Sequence, residues 1–508
     1  MKKPSSFLGN LSDEHWAVVI FLVSMALYCV TLAPTVVWGD GAGFALMVDK
    51  FLLDPAADGH PLYIILGRIF SWLPGELAIN LNFMSAFFAA VTVSLSYLVS
   101  LEITGNKMAA ALGAIAFSLS HAFWLHAVTT EVYTLNACFV MGILYLLLKW
   151  KRERRSALLY WGAFLYGLSL SHHMIIGLLG AAVLYFLLTY DYKIFTDRRI
   201  IIILLCFALG LSIYLGVLFS WIQQQPEKTQ EIADIATGRA ENKAYMMNID
   251  TGWKLQNIGM YIAYLFYQYP VSGFALIILG LVKFLQENKK LAGFFLLAIV
   301  FNAGFFILGP RSLGSPNYAF YIQDYAVFSV FIAYGGYYLL QREGTKIAQM
   351  LLMAILLAQT TTYQITPGIT KTLGLDLLHT RRLPYRDNEQ YFLNPSKLGY
   401  KGPKEYAYTA LGQMETGATI IADYTPATVL DYYHNILGVR PDIKLVYTQE
   451  IAKPGDNYDL KPYVDEHYHE GAIYLADLAG PSYYNVGKLE KEYDLLPMEP
   501  IYKIVRKE

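Results

Sequence analysis

Pro34-Thr-Val-Val-Trp-Gly-Asp-Gly-Ala-Gly43 follows directly on an apolar run from Trp16 to Pro34. In it the carboxylate of Asp40 is held between Gly39 and Gly41, with Trp38 just before them. Charge at the edge of a bilayer is costly, so an acid there is a functional candidate. The glycines permit backbone conformations that other residues resist, and they let another molecule approach closely. A plainer reading is that Asp40 caps a helix starting near Ala42. The rest of the chain weighs between the two.

The chain has 508 residues, 55% of them hydrophobic and only 16% charged. A soluble domain is about a quarter charged. Apolar runs of about 20 residues recur as far as Thr362, which marks a polytopic membrane protein. A formal net charge of −1 excludes a global basic field for nucleic acid. Cys29, Cys138 and Cys206 all fall inside apolar runs and read as small core residues, not as disulfide or zinc ligands. The first run is too long for a signal peptide and lacks a small-residue cleavage site, so it reads as an uncleaved span.

Basic residues orient the spans. Lys2 and Lys3 put the start of the first span in the cytoplasm. Further clusters come at Lys107, at Lys149 to Arg155, at Lys193 to Arg199, at Lys283 to Lys290, and at Arg342 and Lys346. They alternate correctly with about eleven transmembrane helices over 1–365, a polytopic α-helical membrane fold. The first outer loop is then 35–77, with short interfacial helices at Phe44 to Leu53 and Leu62 to Leu73. Residues 366–508 fall outside. There Ala418 to Ala422, Ile443 to Tyr447 and Ala472 to Leu475 read as strands and Pro426 to Leu437 as a helix, a small α/β domain. No glycine-rich phosphate loop stands at its strand ends.

This topology puts Asp40, His60, Glu131, Tyr133, His172, His173 and Arg311 on one side of the membrane, from separate loops and span ends. Each has a plainer reading. His60, before Pro61, starts a helix. Glu131 caps the next span, where acids suit a helix N-terminus. His172 and His173 are interfacial histidines, and adjacent histidines do not share a zinc on one helical face. Tyr133 is packing, and Arg311 sits among head groups. Read together they describe a chemistry. A lipid phosphate is a leaving group that needs charge neutralisation, which Arg311 and the histidines would supply. An acceptor hydroxyl needs a base, which Asp40 would be. One base suffices for a single displacement with inversion.

The motifs Leu32-Ala-Pro-Thr35, Trp38-Gly-Asp-Gly-Ala-Gly43, Gly59-His-Pro-Leu-Tyr63, Glu131-Val-Tyr-Thr-Leu-Asn136 and Gly167-Leu-Ser-Leu-Ser-His-His173 resemble the membrane family catalogued as "domain of unknown function 2723". That family is similar to transmembrane protein O-mannosyltransferases and is grouped with GT-C glycosyltransferases. The resemblance implies a GT-C-like fold, a polyprenyl-phosphate sugar as donor, mannose or a similar hexose as the sugar, and Asp40 as the catalytic acid on the first outer loop. It gives Glu131 and Tyr133 a site role, and His60, His172 and His173 a weaker one. The family loop often carries a second acid after Gly-Asp. Here Gly41-Ala-Gly-Phe44 follows instead, which weakens a metal site there and leaves any divalent cofactor open. The acceptor would be a protein Ser/Thr hydroxyl or a glycan, at the extracytoplasmic face of the inner membrane. The rival reading is a transporter or flippase of a lipid-linked glycan, although no internal repeat supports it.

Overall fold

The computed structural model describes residues 12–56, 59–237, 251–309, 317–377, 380–452, 458–478 and 484–508. The chain opens with α1 (Asp13–Val30), capped by Ser12, whose side chain accepts from the His15 N–H. Two short helices follow in the first loop, α2 (Asp40–Lys50) and α3 (Pro61–Phe70). Then come α4 (Leu77–Thr104), α5 (Lys107–Ser118), α6 (His121–Ala127), α7 (Tyr133–Glu153), α8 (Ser156–Leu170), α9 (Gly180–Asp191) and α10 (Arg199–Gln224). After a short α11 (Thr229–Ala236) the bundle is completed by α12 (Thr251–Gln268), α13 (Ser272–Glu287), α14 (Lys289–Leu308), α15 (Ile322–Glu343) and α16 (Thr345–Thr372).

Among the described residues, six helices are long and apolar enough to cross a membrane, or up to eight if each of two bent pairs is one span. This is fewer than the sequence predicts, for local reasons. The run from Met108 to Phe123 is not one rod: α5 and α6 meet at 68°. α12 and α13 meet at 110°. α8 has only 15 residues, and α15 and α16 are not among the helices apolar enough to count. Lipid gives helices little hydrophobic reason to associate, so small residues bring them together. Gly167 of α8 lies against the Phe207 carbonyl of α10, and Gly210 of α10 lies against the Phe164 carbonyl of α8. A methyl group at either glycine would overlap that backbone.

The tail carries a five-stranded sheet in the order β2-β1-β3-β5-β4. β1 (Thr419–Ala422) runs parallel to β2 (Lys444–Tyr447) and to β3 (Ile473–Leu475). β4 (Tyr493–Met498) and β5 (Ile501–Arg506) form an antiparallel hairpin whose second strand pairs with β3. The first three strands coincide with those expected; the hairpin was not foreseen, because Pro497 interrupts its apolar pattern. Strand side chains alternate between faces. Ile421, Val446, Leu475 and Ile504 pack a core of their own, whereas Ile420, Ala422, Tyr474 and Ile501 join the core of the helical bundle.

Hydroxyl groups from the tail pin the first loop. The hydroxyls of Thr35 and Tyr433 are 2.6 Å apart, Tyr432 accepts from the Ala78 N–H at 3.2 Å, and Tyr400 accepts from Trp38 Nε1 at 2.7 Å. The Lys397 N–H donates to the Thr31 carbonyl at 3.0 Å. The boundary expected after residue 365 falls inside α16, which continues to Thr372.

Candidate active site

Gly39 turns the chain into α2 with φ 78° and ψ −125°, a left-handed conformation that only glycine adopts readily. Its carbonyl accepts from the Ala42 and Gly43 N–H groups and from Thr428 Oγ1 at 3.2 Å. Asp40 is thereby the first residue of α2, where the partial positive charge of the helix end favours a carboxylate. Trp38, Gly39 and Asp40 line a cavity of about 350 Å³ between the bundle and the tail. That is within the range of small-ligand sites, roughly 300–1,000 Å³.

The corner between α6 and α7 forms the next part of the lining, with His126, Thr129, Glu131 and Tyr133. Side-chain bonds hold this corner: Thr129 Oγ1 donates to the Leu125 carbonyl at 2.9 Å and Thr130 Oγ1 to Asn82 Oδ1 at 2.7 Å. The Glu131 N–H donates to Ser85 Oγ at 3.3 Å. Burial, reinforced by the charge of Asp40, pushes the Glu131 carboxyl well above the usual carboxylate range, against the pull of the Val132 N–H. The loop that lacks a second acid thus gains one from another segment. Held protonated, Glu131 donates hydrogen bonds; it brings no positive charge to a phosphate.

The opposite wall comes from the tail, where Thr380, Arg381, Arg386, Tyr391 and Phe392 line the same cavity. Arg381 is 15% exposed and bridges Asp423 at 2.6 Å and Asp477 at 3.2 Å. These acids stand just past the ends of β1 and β3, so the guanidinium is aimed by the parallel strands. Arg386 donates from Nε to Asn388 Oδ1 at 2.9 Å and from Nη2 to the Arg381 carbonyl at 2.7 Å, and lies 5.1 Å over the Phe392 ring. Behind them Lys397 is buried. Its Nζ donates to the carbonyls of Tyr391 and Asn394, both at 2.9 Å, and burial pushes its pKa down to about 7. Sequence reasoning passed over these residues. A signal was there: Arg381, Arg382 and Arg386 cluster just after the last helix, in the tail that the alternation of basic clusters is expected to put outside, where few basic residues are expected.

The histidines gather one layer behind this lining. The His60 ring lies 4.7 Å from that of His173 and 5.8 Å from that of His172. His60 Nδ1–H donates to the His172 carbonyl at 2.7 Å, and His172 Nε2–H donates to the Val132 carbonyl at 2.9 Å. None of the three lines the cavity; His173 approaches it only through the Tyr133 ring, at 6.5 Å. Burial holds His172 down to about 3 and His173 well below its ordinary value, so both are neutral and carry no charge to a phosphate. His60 does precede α3, as its plainer reading had it. Arg311 lies outside the described residues. Among the described residues, no group of three or more His, Cys, Asp or Glu side chains is placed to hold a metal ion.

Residues 54–196 match the family model described as the "Protein O-mannosyl-transferase TMEM260 N-terminal domain". That segment holds Glu131, Tyr133 and the three histidines but not Asp40. Protein O-mannosyl-transferase TMEM260 of Mus musculus is 28% identical over 167 residues, 32% of this chain and 24% of that protein. The Dictyostelium discoideum protein of the same name is 28% identical over 142 residues, 27% of this chain and 17% of its own length. The matched region therefore spans under a quarter of these relatives. Over the whole chain the fold is that of ArnT from Cupriavidus metallidurans. Its structure bound to undecaprenyl phosphate superposes with a TM-score of 0.61 at 12% identity, covering 97% of this chain and 98% of that one. The apo state gives 0.62 at the same identity and coverage. The resemblance expected from the motifs is thus borne out: the chain is similar to protein O-mannosyl-transferases within 54–196 and shares the fold of ArnT along its length.

Proposed function

We propose that the protein is a membrane glycosyltransferase that moves a sugar from a polyprenyl-phosphate donor to an acceptor hydroxyl. The observation that carries this reading is one cavity with Asp40 on one wall and two arginines, Arg381 and Arg386, on the other. Asp40 takes the proton of the acceptor hydroxyl. The hydroxyl oxygen attacks the anomeric carbon, and the bond from that carbon to the phosphate oxygen breaks with inversion. The electron pair leaves with the lipid phosphate, whose charge Arg381 and Arg386 stabilise. His60, His172 and His173 act as positioning residues that tie the His60 turn to the start of α7, and so fix Glu131 and Tyr133.

The relatives are named as protein O-mannosyltransferases, which favours a hexose such as mannose and a protein Ser/Thr acceptor. ArnT, whose fold the chain shares, binds undecaprenyl phosphate, which favours a polyprenyl carrier. The reading takes about eleven crossings, counting α8, α15 and α16 beside the eight candidate spans, with 1–365 as the catalytic membrane part and 366–508, Arg381 and Arg386 included, on the extracytoplasmic side of the inner membrane. The test is donor turnover. The purified protein in lipid is given short-chain polyprenyl-phosphate sugars one at a time, and release of the lipid phosphate is followed. Release that disappears in Asp40→Asn is expected. No release from any donor, with cell extract as acceptor, would overturn the reading in favour of a transporter.

A further inference from the structure

His126 lines the cavity but takes no part in the transfer just described. Its side chain is 11% exposed, and both ring nitrogens are buried with no hydrogen-bond partner among the described residues. Buried polar atoms are nearly always paired, so a pair of unpaired ones in a cavity wall calls for a ligand. Nδ1 stands 4.0 Å from Glu131 Oε2, beyond hydrogen-bond length. That spacing leaves both groups turned toward the cavity rather than satisfied by each other. The Tyr133 ring is 5.0 Å from the imidazole, and the Tyr318 ring is 6.4 Å from it.

We propose that His126 and Glu131 are the sugar subsite of the donor pocket, reading neighbouring hydroxyls of a neutral hexose that lies against Tyr133. A neutral imidazole offers one donor and one acceptor, and a protonated carboxyl does the same. A hydroxyl is likewise both donor and acceptor. An ammonium, donor only, would leave the corner's own donors unpaired, and a carboxylate, acceptor only, would leave its acceptors unpaired. The arginines of the cavity, Arg381 and Arg386, stand on the opposite wall, which leaves the His126 corner for the uncharged part of the donor. The proposal rests on the transfer reading but is tested by binding alone.

The full-length protein in nanodiscs is titrated calorimetrically with a short-chain polyprenyl-phosphate mannose, its single-deoxy derivatives, and an amino-sugar counterpart. The parent is expected to bind about tenfold or more tighter than the derivative lacking the hydroxyl that His126 reads, since a site built to pair a hydroxyl rejects its absence. His126→Ala should lose about that factor for the parent and nothing for that derivative. His126→Asn, which keeps a donor and an acceptor, should restore part of it and guards against a folding defect. Equal weakening of every donor by His126→Ala, or tighter binding of the amino sugar, would overturn the proposal. Hydroxyl discrimination in binding without any lipid-phosphate release would sink the transfer reading and leave the subsite standing. Turnover without discrimination would sink the subsite alone.

Discussion

The two walls of the cavity are built by different means. The Asp40 wall is made of helix ends: a glycine turn into α2 and the corner between α6 and α7, fixed mostly by bonds within a few residues or to an adjacent helix, with Thr428 and Tyr400 of the tail adding one bond each at Gly39 and Trp38. The arginine wall is made of a tail segment fixed from far along the chain, by Asp423 and Asp477 at the ends of two strands. The first wall holds the candidate base and a carboxyl kept protonated by burial; the second holds the cations. The difference teaches that the candidate base is positioned largely by local turn geometry, whereas the cationic groups facing it are brought in by tertiary structure.

Substitutions separate the walls, and the largest effect belongs to the first. Asp40→Asn removes the base and should cut lipid-phosphate release to an acceptor by about a thousandfold or more, toward the upper end of what general-base catalysis supplies. Donor affinity should barely change. A loss of affinity with little change in turnover would put Asp40 on the binding side and erase the division. Arg381→Ala removes the partner of two acids near the strand ends. Breaking a buried pair on one side costs about 3–5 kcal/mol, so thermal unfolding of the purified protein should come markedly earlier. An unchanged unfolding temperature would mean that the strand ends do not hold the second wall.

Arg386→Gln leaves that pairing intact. It should raise the KM for donor by about tenfold, the scale of one charge-assisted hydrogen bond, with kcat less affected. The gentlest probe is pH. His172 has a pKa lowered to about 3 by burial, so the unfolded chain binds more protons there than the folded one. Its contribution to stability is complete above the ordinary histidine range near 6.5 and fades as pH falls from there toward 3. His172→Gln should flatten the acid side of the stability profile; a profile of unchanged slope would remove the histidines from the backing of the first wall.

The same division governed what could be read from the sequence. Asp40, Glu131 and Tyr133 were legible because a polar residue beside an apolar run stands out, and because alternating basic clusters sort such residues to one side. The two short helices of the first loop were legible for a similar reason, one opening on a glycine turn and the other on a proline. Arg381 and Arg386 were not singled out, because in a tail of ordinary polarity an arginine is unremarkable until the partners of its guanidinium are known. The histidines were found but given a phosphate to hold, since their burial behind Tyr133 depends on how three loops pack. His126 was not singled out; one histidine in an aromatic stretch carries no periodic signal. The number of spans was read as rods, and the bends at Leu119–Ser120 and between α12 and α13 are invisible to hydropathy.

The tyrosine hydroxyls that fasten the tail to the first loop have a consequence for how the protein is made. Ribosomes build the chain from Asp40 toward Arg386, so the acid and the helices after it are made while the arginines are unsynthesised. Tyr400, Tyr432 and Tyr433 arrive later still, and they hold the second wall against Trp38, Ala78 and Thr35. A nascent chain that has inserted its helices therefore has half a cavity, open to water and without its cations. Competence is acquired at a single late moment, when the tail has folded around its sheet and docked. A chain stalled or clipped before that moment lacks the wall that carries Arg381 and Arg386.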